Sequence, residues 1–241
     1  MLPAEIIVIE QRVRSRVNSN LSDSQVRSFA RGIWNSHRTV ARPAILLGPI
    51  GVGKSTIARL VAQQEDSSFR ALLAVTPDDH DSAFYKHLAN FAANPRDGAF
   101  GLQVEALLSR FLRLLIATDC DVLDEGFFSD LVFSRYYAAC DYLSPLQYET
   151  YFALFETLRV ILPKPRVLVF LDAPVADLMR RIHRRGRKVE TAYTAEYVGA
   201  LRRGYALLEK ELTRYKTCHI DTADSNENEV ARVVFDLVRL A

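Results

Sequence analysis

One segment, 48–55, constrains the fold of this 241-residue chain more than any other part of the sequence. It reads Gly-Pro-Ile-Gly-Val-Gly-Lys-Ser, follows the short apolar run 44–47 and leads into an amphipathic stretch, 54–64. The spacing G-x-x-x-x-G-K-S is that of the P-loop, whose glycines let backbone N–H groups point at an anion without a clash from a Cβ atom. Because a P-loop joins a buried strand to a helix, the segment predicts an α/β fold built around a phosphate site.

The residue types of this loop predict which groups contact a nucleotide. Lys54 supplies a positive charge for the β- and γ-phosphates, and Ser55 offers its hydroxyl to Mg²⁺. The helix that follows adds the positive end of its dipole. We therefore expect ATP and Mg²⁺ as cofactors. The predicted nucleotide-binding residues are Gly48, Gly51, Val52, Gly53, Lys54, Ser55 and Thr56.

Strand and helix patterns alternate after the loop. The candidate strands are 44–47, 70–75, 120–124, 166–171 and 217–221. Alternation of this kind is typical of βαβ units and predicts a five-stranded parallel sheet flanked by helices. Two helix patterns precede the break at Arg42-Pro43, so we expect an N-terminal helical extension over 1–40 and one domain over 41–241.

The composition limits the kinds of partner. Hydrophobic residues make up 49% and charged residues 25%, as in ordinary globular proteins, which excludes a wholly disordered chain. The net charge of +2 gives no general reason to expect a nucleic acid or a membrane surface as a partner. The chain has no run of about 18 apolar residues, so the sequence predicts no transmembrane span.

The cysteines indicate the compartment. The chain has three, an odd number without a C-x-x-C pair, which predicts neither a disulfide framework nor a zinc site. Free thiols are typical of a reducing cytosol, so we expect a cytoplasmic protein. The arginine- and serine-rich N-terminus leaves an organellar transit peptide open as an alternative, although Glu5 and Glu10 lie inside it.

A dense group of cations follows the fourth candidate strand. Six of the ten residues 179–188 are arginine or lysine, which is unusual in a chain whose net charge is +2. One interpretation is a lid, over about 180–192, that closes on a triphosphate and places arginines against its charge. A solvated basic helix face is the alternative. A nucleic-acid patch is disfavoured, because aromatic residues do not alternate with the cations.

The segment 185–190, Arg-Gly-Arg-Lys-Val-Glu, is followed by Glu196-Tyr197 and a long amphipathic pattern, and it resembles the lid of the deoxynucleoside kinase family. Several separated motifs between the P-loop and Asp221 occur in that family's order, whereas 1–40 lies outside the resemblance. The resemblance implies a P-loop kinase fold. It also implies ATP-dependent phosphorylation of a hydroxyl group on a nucleoside or a nucleoside-like small molecule.

Two predicted helices, 99–118 and 144–161, carry more apolar residues than one face of a sheet can cover. This surplus predicts a homodimer, which the family resemblance also implies. The residues concerned are Leu107, Leu108, Leu114, Leu115, Tyr151, Phe152, Leu154 and Phe155.

The resemblance also implies an acceptor pocket. Gln103 corresponds to a glutamine that binds the base, Arg110 to an arginine that lines the base pocket, and Asp130 to an aspartate near the base. Glu190 corresponds to a glutamate that contacts the sugar hydroxyl. The alternative for Gln103, Arg110 and Asp130 is that each belongs to the polar face of a helix.

The phosphate side of the site is implied in the same way. Asp124, at the end of an apolar run, corresponds to an acid that helps to hold Mg²⁺. Arg185 and Arg187 correspond to the lid arginines that face the phosphates. The expected catalytic residues are Lys54, Asp78, Asp124, Arg185 and Arg187.

Two of the family's catalytic positions are not matched. The family carries Glu-Pro after the second strand, and that glutamate takes the proton of the sugar 5′-hydroxyl. This chain has Thr76-Pro77 there. Asp78, Asp79 or Glu125 is the expected substitute, with Asp78 the nearest in sequence. The family's arginine after the metal-binding acid is replaced by Glu125. The acid–base part of the site is therefore where the chain departs most from the family.

Two positions of the substrate pocket also differ from the family, because Gly98 replaces a tryptophan and Ala92 replaces a tyrosine. We expect these changes to make the pocket wider and differently charged. Three functions remain open: an active nucleoside kinase, a catalytically silent nucleotide-binding protein that acts as a subunit or regulator, and a kinase for an unrelated small metabolite. The intact P-loop, Asp124 and lid arginines favour an active kinase.

Overall fold

The protein is described by a computed structural model over residues 42–64, 69–73, 82–116, 120–124, 126–162 and 164–240, together with Ser24 and Ser28. Apart from these two serines, the predicted extension over 1–40 lies outside the described residues. The same is true of the segment 74–81, with Asp78 and Asp79, and of Glu125. The expectations for these positions stay predictions.

The sheet consists of parallel strands. They are β1 (Ala44–Leu47), β2 (Ala71–Leu72), β3 (Val122–Asp124), β4 (Val167–Asp172) and β5 (Thr217–Asp221). Their order across the sheet is β2-β3-β1-β4-β5, and every neighbouring pair is parallel. The predicted α/β architecture is confirmed, although β2 is shorter than the predicted strand 70–75.

The register of the sheet brings the ends of its central strands together. Leu46 of β1 lies opposite Asp124 of β3 on one side and Val169 of β4 on the other. Because parallel strands end at the same edge of a sheet, the P-loop begins beside Asp124 and beside the end of β4. This carboxyl edge is where ligands bind in open α/β sheets.

Eight α-helices flank the sheet in the described part of the chain. They are α1 (Lys54–Ala62), α2 (Ala83–Ala93), α3 (Pro95–Ile116), α4 (Ser129–Ala139), α5 (Pro145–Ile161), α6 (Val175–Arg185), α7 (Ala195–Glu211) and α8 (Glu227–Leu240). Serine or threonine caps begin three of them. The Ser82 and Thr194 side chains each accept a hydrogen bond from a first-turn backbone N–H, and Ser144 forms a capping box with Gln147.

Side chains of β1 point alternately into two cores, one on each face of the sheet. Ala44 and Leu46 pack on one face with residues of α1, α6 and α8. Ile45 and Leu47 pack on the other face with residues of α3, α4, α5 and α7. Because β1 is buried on both faces, its four residues are all apolar and almost fully buried.

The apolar residues of α3 and α5 divide into two groups. Leu107, Leu114, Tyr151 and Phe155 are buried in the core of the single chain, so they are not surplus. Leu108 and Phe152 are about two-fifths exposed, at 39% and 40%, and Leu112 is 56% exposed. The predicted homodimer therefore depends on fewer residues than the sequence suggested.

None of the helices in the described ranges combines the length and the apolar character that crossing a membrane requires.

Candidate active site

A cavity of about 390 Å³ opens at the carboxyl edge of the sheet. It contains side chains from the P-loop, α2, α3, α4, the end of β3, α6 and the segment after α6. The sequence-predicted site residues that line it are Gly51, Gly53, Lys54, Ser55, Thr56, Gln103, Arg110, Asp124, Arg185, Arg187 and Glu190. Gly48, Val52 and Asp130 do not line it, although Asp130 contacts Arg110, which does.

The glycines of the P-loop are required by its conformation. Gly51 has a φ of +85°, and a Cβ atom there would lie 2.8 Å from the carbonyl oxygen of Leu178. Gly48 has a φ of +148°, and its Cβ would collide with the carbonyl oxygen of Leu171. Only glycine avoids both the backbone strain and the overlap, so the loop can pack tightly against β4 and α6.

Lys54 lies folded over the loop. Its Nζ donates hydrogen bonds to the carbonyl oxygens of Gly48, at 2.8 Å, and Pro49, at 3.2 Å. Both acceptors are neutral, and a phosphate oxygen offers the ammonium a stronger, charge-assisted bond. Lys54 is therefore held at the mouth of the loop by contacts that a phosphate can replace.

Ser55 and Asp124 supply oxygen ligands in the same cavity. Ser55 lies in the first turn of α1, and Asp124 ends β3 with only 1% of its surface exposed. Arg113 donates to the backbone oxygen of Asp124 at 3.2 Å, which holds the end of the strand. One hydroxyl and one carboxylate, completed by phosphate oxygens and water, suit Mg²⁺. The described residues include no cluster of three or more His, Cys, Asp or Glu that would form a closed metal site.

The segment predicted to be a lid is built around Glu190. Helix α6 ends at Arg185, Gly186 follows with a φ of +69°, and a short 3₁₀ turn, Lys188–Glu190, returns Glu190 to the cavity. Arg185 binds the Glu190 carboxylate with two hydrogen bonds, Nε at 3.0 Å and a terminal nitrogen at 2.6 Å. Arg187 lies 3.6 Å from the same carboxylate. The two arginines expected to face phosphate are thus paired with the glutamate expected to face the sugar.

Arg181 lies in the same predicted lid, and the sequence did not single it out. Its guanidinium donates to the carbonyl oxygen of Val52 at 3.3 Å, and to the hydroxyl and carbonyl oxygens of Thr222 at 3.0 and 2.5 Å. Thr222 in turn donates its backbone N–H to the Asp172 carbonyl at 2.8 Å. These contacts tie α6 to the P-loop and to the loop after β5. The spacing of four residues between Arg181 and Arg185 was the signal available in the sequence.

The acceptor end of the cavity contains a buried ion pair. Arg110 of α3 binds the carboxylate of Asp130 at the start of α4, and the Asp130 side chain is completely buried. Gln103 lies two helical turns before Arg110 and is 3% exposed. Its Oε1 has no hydrogen-bond partner among the residues the structure describes, and the side chain lines the cavity. The amide can therefore accept a hydrogen bond from a ligand.

Aromatic and apolar side chains that were not expected to line the site occupy the same end of the cavity. They form three pairs with a spacing of four residues, Phe84 and Leu88, Phe133 and Tyr137, and Tyr193 and Tyr197. This spacing places each pair on one face of a helix or turn, but it is equally typical of core residues. Only the tertiary structure shows that all three faces meet at one cavity.

Burial raises the pKa of the Tyr137 and Tyr197 hydroxyls well above the ordinary tyrosine value. Both hydroxyls therefore stay protonated at neutral pH and act as hydrogen-bonding groups rather than as bases.

The expectation that Gly98 widens the pocket is wrong. A Cβ atom at Gly98 would lie 2.5 Å from the backbone nitrogen of Phe91, so the glycine faces the backbone of α2. Ala92 is exposed on the outer side of α2. Neither residue lines the cavity, whose wall on this side is formed by Phe84 and Leu88.

Comparisons with known proteins agree with this geometry. The chain is 27% identical over 172 residues to the deoxyguanosine kinase of Bacillus subtilis (strain 168), covering 68% of this chain and 77% of the relative. It is 26% identical over 200 residues to the deoxyadenosine/deoxycytidine kinase of the same organism, covering 78% and 87%. It is 27% identical over 171 residues to the deoxyadenosine kinase of Dictyostelium discoideum, covering 70% and 66%.

Solved structures show the same fold. The deoxyadenosine kinase from M. mycoides, with the products dCMP and a flexible dCDP bound, superposes with a TM-score of 0.70 at 17% identity, over 83% of this chain and all of that one. The same kinase with bound dATP gives a TM-score of 0.69 at 17% identity, over 82% and 99%. A sequence model of the deoxynucleoside kinase family matches residues 45–239, and this chain therefore belongs to that family of nucleoside phosphotransferases.

Proposed function

We propose that this kinase transfers the γ-phosphoryl group of ATP to a hydroxyl group of a purine deoxynucleoside. The observation that supports the proposal is one cavity lined both by the P-loop and by the buried group of Gln103 and Arg110. The three relatives described above are each named for a purine deoxynucleoside, alone or with deoxycytidine. Purine deoxynucleosides are therefore the first acceptors to test.

At the donor end, Lys54 would exchange its two carbonyl acceptors for phosphate oxygens. Ser55 and Asp124 would hold Mg²⁺ on the phosphate side of the cavity. Bound there, Mg²⁺ would neutralise charge on the transferring phosphoryl group. The remaining nucleotide contacts would come from the backbone of Gly48, Gly51, Val52, Gly53 and Thr56.

In the lid, Glu190 would accept a hydrogen bond from the sugar hydroxyl while Arg185 fixes the orientation of its carboxylate. The two hydrogen bonds from Arg185 support this role, because a bidentate pair holds the carboxylate plane in one orientation. Arg187, less tightly paired at 3.6 Å, would turn toward the phosphates as the lid closes. Residues of the lid would thereby contact both the donor and the acceptor.

At the acceptor end, the Gln103 amide would read the edge of the base, since it can donate and accept in one plane. Arg110 and Asp130 would form the polar wall behind it. Because Asp130 is completely buried and paired, its carboxylate acts as a fixed acceptor that keeps Arg110 in place. The aromatic pairs would cover the faces of the base.

We further propose that Asp78 is the general base, with Asp79 and Glu125 as alternatives. In the reaction the base takes the proton of the attacking hydroxyl, the hydroxyl oxygen bonds to the γ-phosphorus, and the bond to the β-phosphate bridging oxygen breaks to release ADP. The support is sequence position alone, since these residues lie outside the described ranges.

We also propose a homodimer and a cytoplasmic location. The exposed apolar residues Leu108, Leu112 and Phe152, on α3 and α5, support an interface between two copies of the chain. The free thiols of Cys120, Cys140 and Cys218 are those expected in a reducing compartment.

The purified chain is to be incubated with ATP, Mg²⁺ and each deoxynucleoside in turn, and formation of the nucleoside monophosphate measured. We expect turnover with deoxyguanosine or deoxyadenosine. Lys54→Ala should abolish it and weaken ATP binding by roughly 10- to 100-fold, the effect of losing a hydrogen bond to a charged group. Arg59 is an exposed cation on the same helix. Arg59→Ala is therefore the matched control, and its turnover and ATP binding should equal those of the wild type. ATP binding without turnover on any acceptor would instead identify a silent nucleotide-binding protein.

A further inference from the structure

Most cations around the cavity already have partners within the protein. Lys54 is bonded to the loop, Arg110 to Asp130, Arg181 to Val52 and Thr222, and Arg185 to Glu190. Each therefore already uses some of its hydrogen-bond donors within the protein.

Arg184 is different. It lines the cavity and is exposed, and within the described ranges it makes no hydrogen bond or ion pair. An arginine that is exposed beside a phosphate site and has no partner keeps its full charge and its five donors for a ligand.

Arg184 lies close to Arg181 on α6, and both line the cavity. Successive helix residues turn by about 100°, so residues three and four apart share a face. Arg184 follows Arg181 by three residues, and Arg181 lies on the P-loop. Arg180 lies one turn before Arg184, does not line the cavity and pairs with Asp177 at 2.7 Å. Two arginines in successive turns of one helix thus have different surroundings.

We propose that Arg184 binds the terminal phosphate of ATP. The proposal rests on the proposed function, since it assigns a role within the same donor site. In a P-loop the backbone N–H groups hold the inner phosphates, which leaves the outer oxygens open to a side chain that approaches from the lid. The planar guanidinium donates two parallel hydrogen bonds to such oxygens.

An alternative role for Arg184 is to stabilise the end of α6. Arg184 lies in the last turn of α6 with His183 and Arg185, where cations favour the negative end of the helix dipole. A residue with only that role would change the stability of the protein but not its preference between ATP and ADP. The ratio of the two affinities therefore separates the two roles.

Calorimetric titration of the full chain with ATP or ADP, with Mg²⁺ and without any acceptor, tests the proposal. We expect Arg184→Ala to weaken ATP binding by about tenfold, the loss of one hydrogen bond to a charged group, and ADP binding by less than about twofold. Arg184→Lys should recover part of the loss, because an ammonium keeps the charge but not the planar fork. Arg180→Ala is the matched control and should leave both affinities unchanged.

The proposal is overturned if Arg184→Ala weakens ATP binding no more than Arg180→Ala does. It is also overturned if Arg184→Ala weakens ATP binding and ADP binding equally. Failure of the proposed function gives a different result, in which the wild type binds ATP but phosphorylates no deoxynucleoside. The comparison of Arg184 variants remains decisive in that case, because it requires only binding. A wild-type chain that binds no ATP overturns both.

Discussion

Replacing Gly98 with alanine tests whether the crossing of α2 and α3 sets the shape of the acceptor end. Gly98 lies in the first turns of α3, directly against the backbone of α2. An added Cβ would lie 2.5 Å from the Phe91 nitrogen and 2.9 Å from the carbonyl carbon of Asn90. Ordinary carbon contacts are about 3.5–4.0 Å. The helices would therefore have to separate by about 1 Å, since backbone atoms cannot rotate away as a side chain can.

The magnitude follows from two opposing effects. Forcing an extra methyl group into a packed interface costs about 1–3 kcal/mol, and the upper part of this range applies because the neighbours are backbone atoms. Alanine is favoured over glycine inside a helix by about 1 kcal/mol, which offsets part of the cost. The net loss of about 1–2 kcal/mol in the free energy of unfolding corresponds to a fall in Tm of about 2–8 °C for a domain of this size.

The same displacement should change the kinetics. Phe84 and Leu88 on α2 line the cavity, so their movement should raise KM for the deoxynucleoside by about threefold or more. KM for ATP should change by less than about twofold, because the P-loop is held by other elements. Thermal denaturation and initial rates at varied ATP and deoxynucleoside measure both effects.

Gly199→Ala is the control. Gly199 also lies within a helix, α7, but the nearest atoms to an added Cβ are 3.5 and 3.6 Å away, which is ordinary contact. This variant should gain about 0.5–1 kcal/mol from helix propensity alone. A Gly98→Ala protein whose Tm rises like that of Gly199→Ala, with an unchanged KM, would show that the crossing is not tight and would refute the reasoning.

Three further expectations concern the base, the interface and pH. Asp78→Asn should lower kcat by about 100-fold with ATP affinity unchanged in a binding titration, and an unchanged kcat would remove Asp78 from the mechanism. Leu112→Asp should make a dimeric wild type monomeric in sedimentation, since Leu112 is 56% exposed; a wild type that sediments as a monomer contradicts the interface. Burial raises the pKa of Tyr151, so above about pH 10 the unfolded chain ionises first and stability falls as pH rises. The Tm of the Tyr151→Phe variant should therefore fall less than that of the wild type between about pH 9 and 11, and an equal fall would contradict this.

The parts of the fold that local chemistry specifies were predictable. The bounds of β1 and β5 match the predicted strands 44–47 and 217–221, and the P-loop lies between β1 and α1 as its spacing requires. Asp124 ends β3 beside the loop because parallel strands end at one edge of the sheet. Each of these features depends on residues close together in sequence or on a general rule of α/β sheets.

Pairing between distant side chains was not predictable in the same way. The lid arginines were expected to face phosphate, but Arg185 binds Glu190 across the turn at Gly186. Gly98 was expected to open the pocket, but the backbone of α2 covers it. In both cases the residue type was informative, and its neighbour in space decided what it does.

The sequence by itself determined the α/β architecture and the anion site, since hydrophobic periodicity, the alternation of strand and helix patterns and the glycine spacing of the P-loop are properties of neighbouring residues. Only the tertiary structure decided which polar groups are already engaged and which are open to a ligand. Arg180 and Arg184 have the same chemistry and stand four residues apart, yet one is paired with Asp177 and the other faces the cavity. The difference arises from position along α6, because Arg180 lies within reach of Asp177, three residues before it, whereas Arg184 lies in the last turn, near Gly186, where the chain turns back to the cavity.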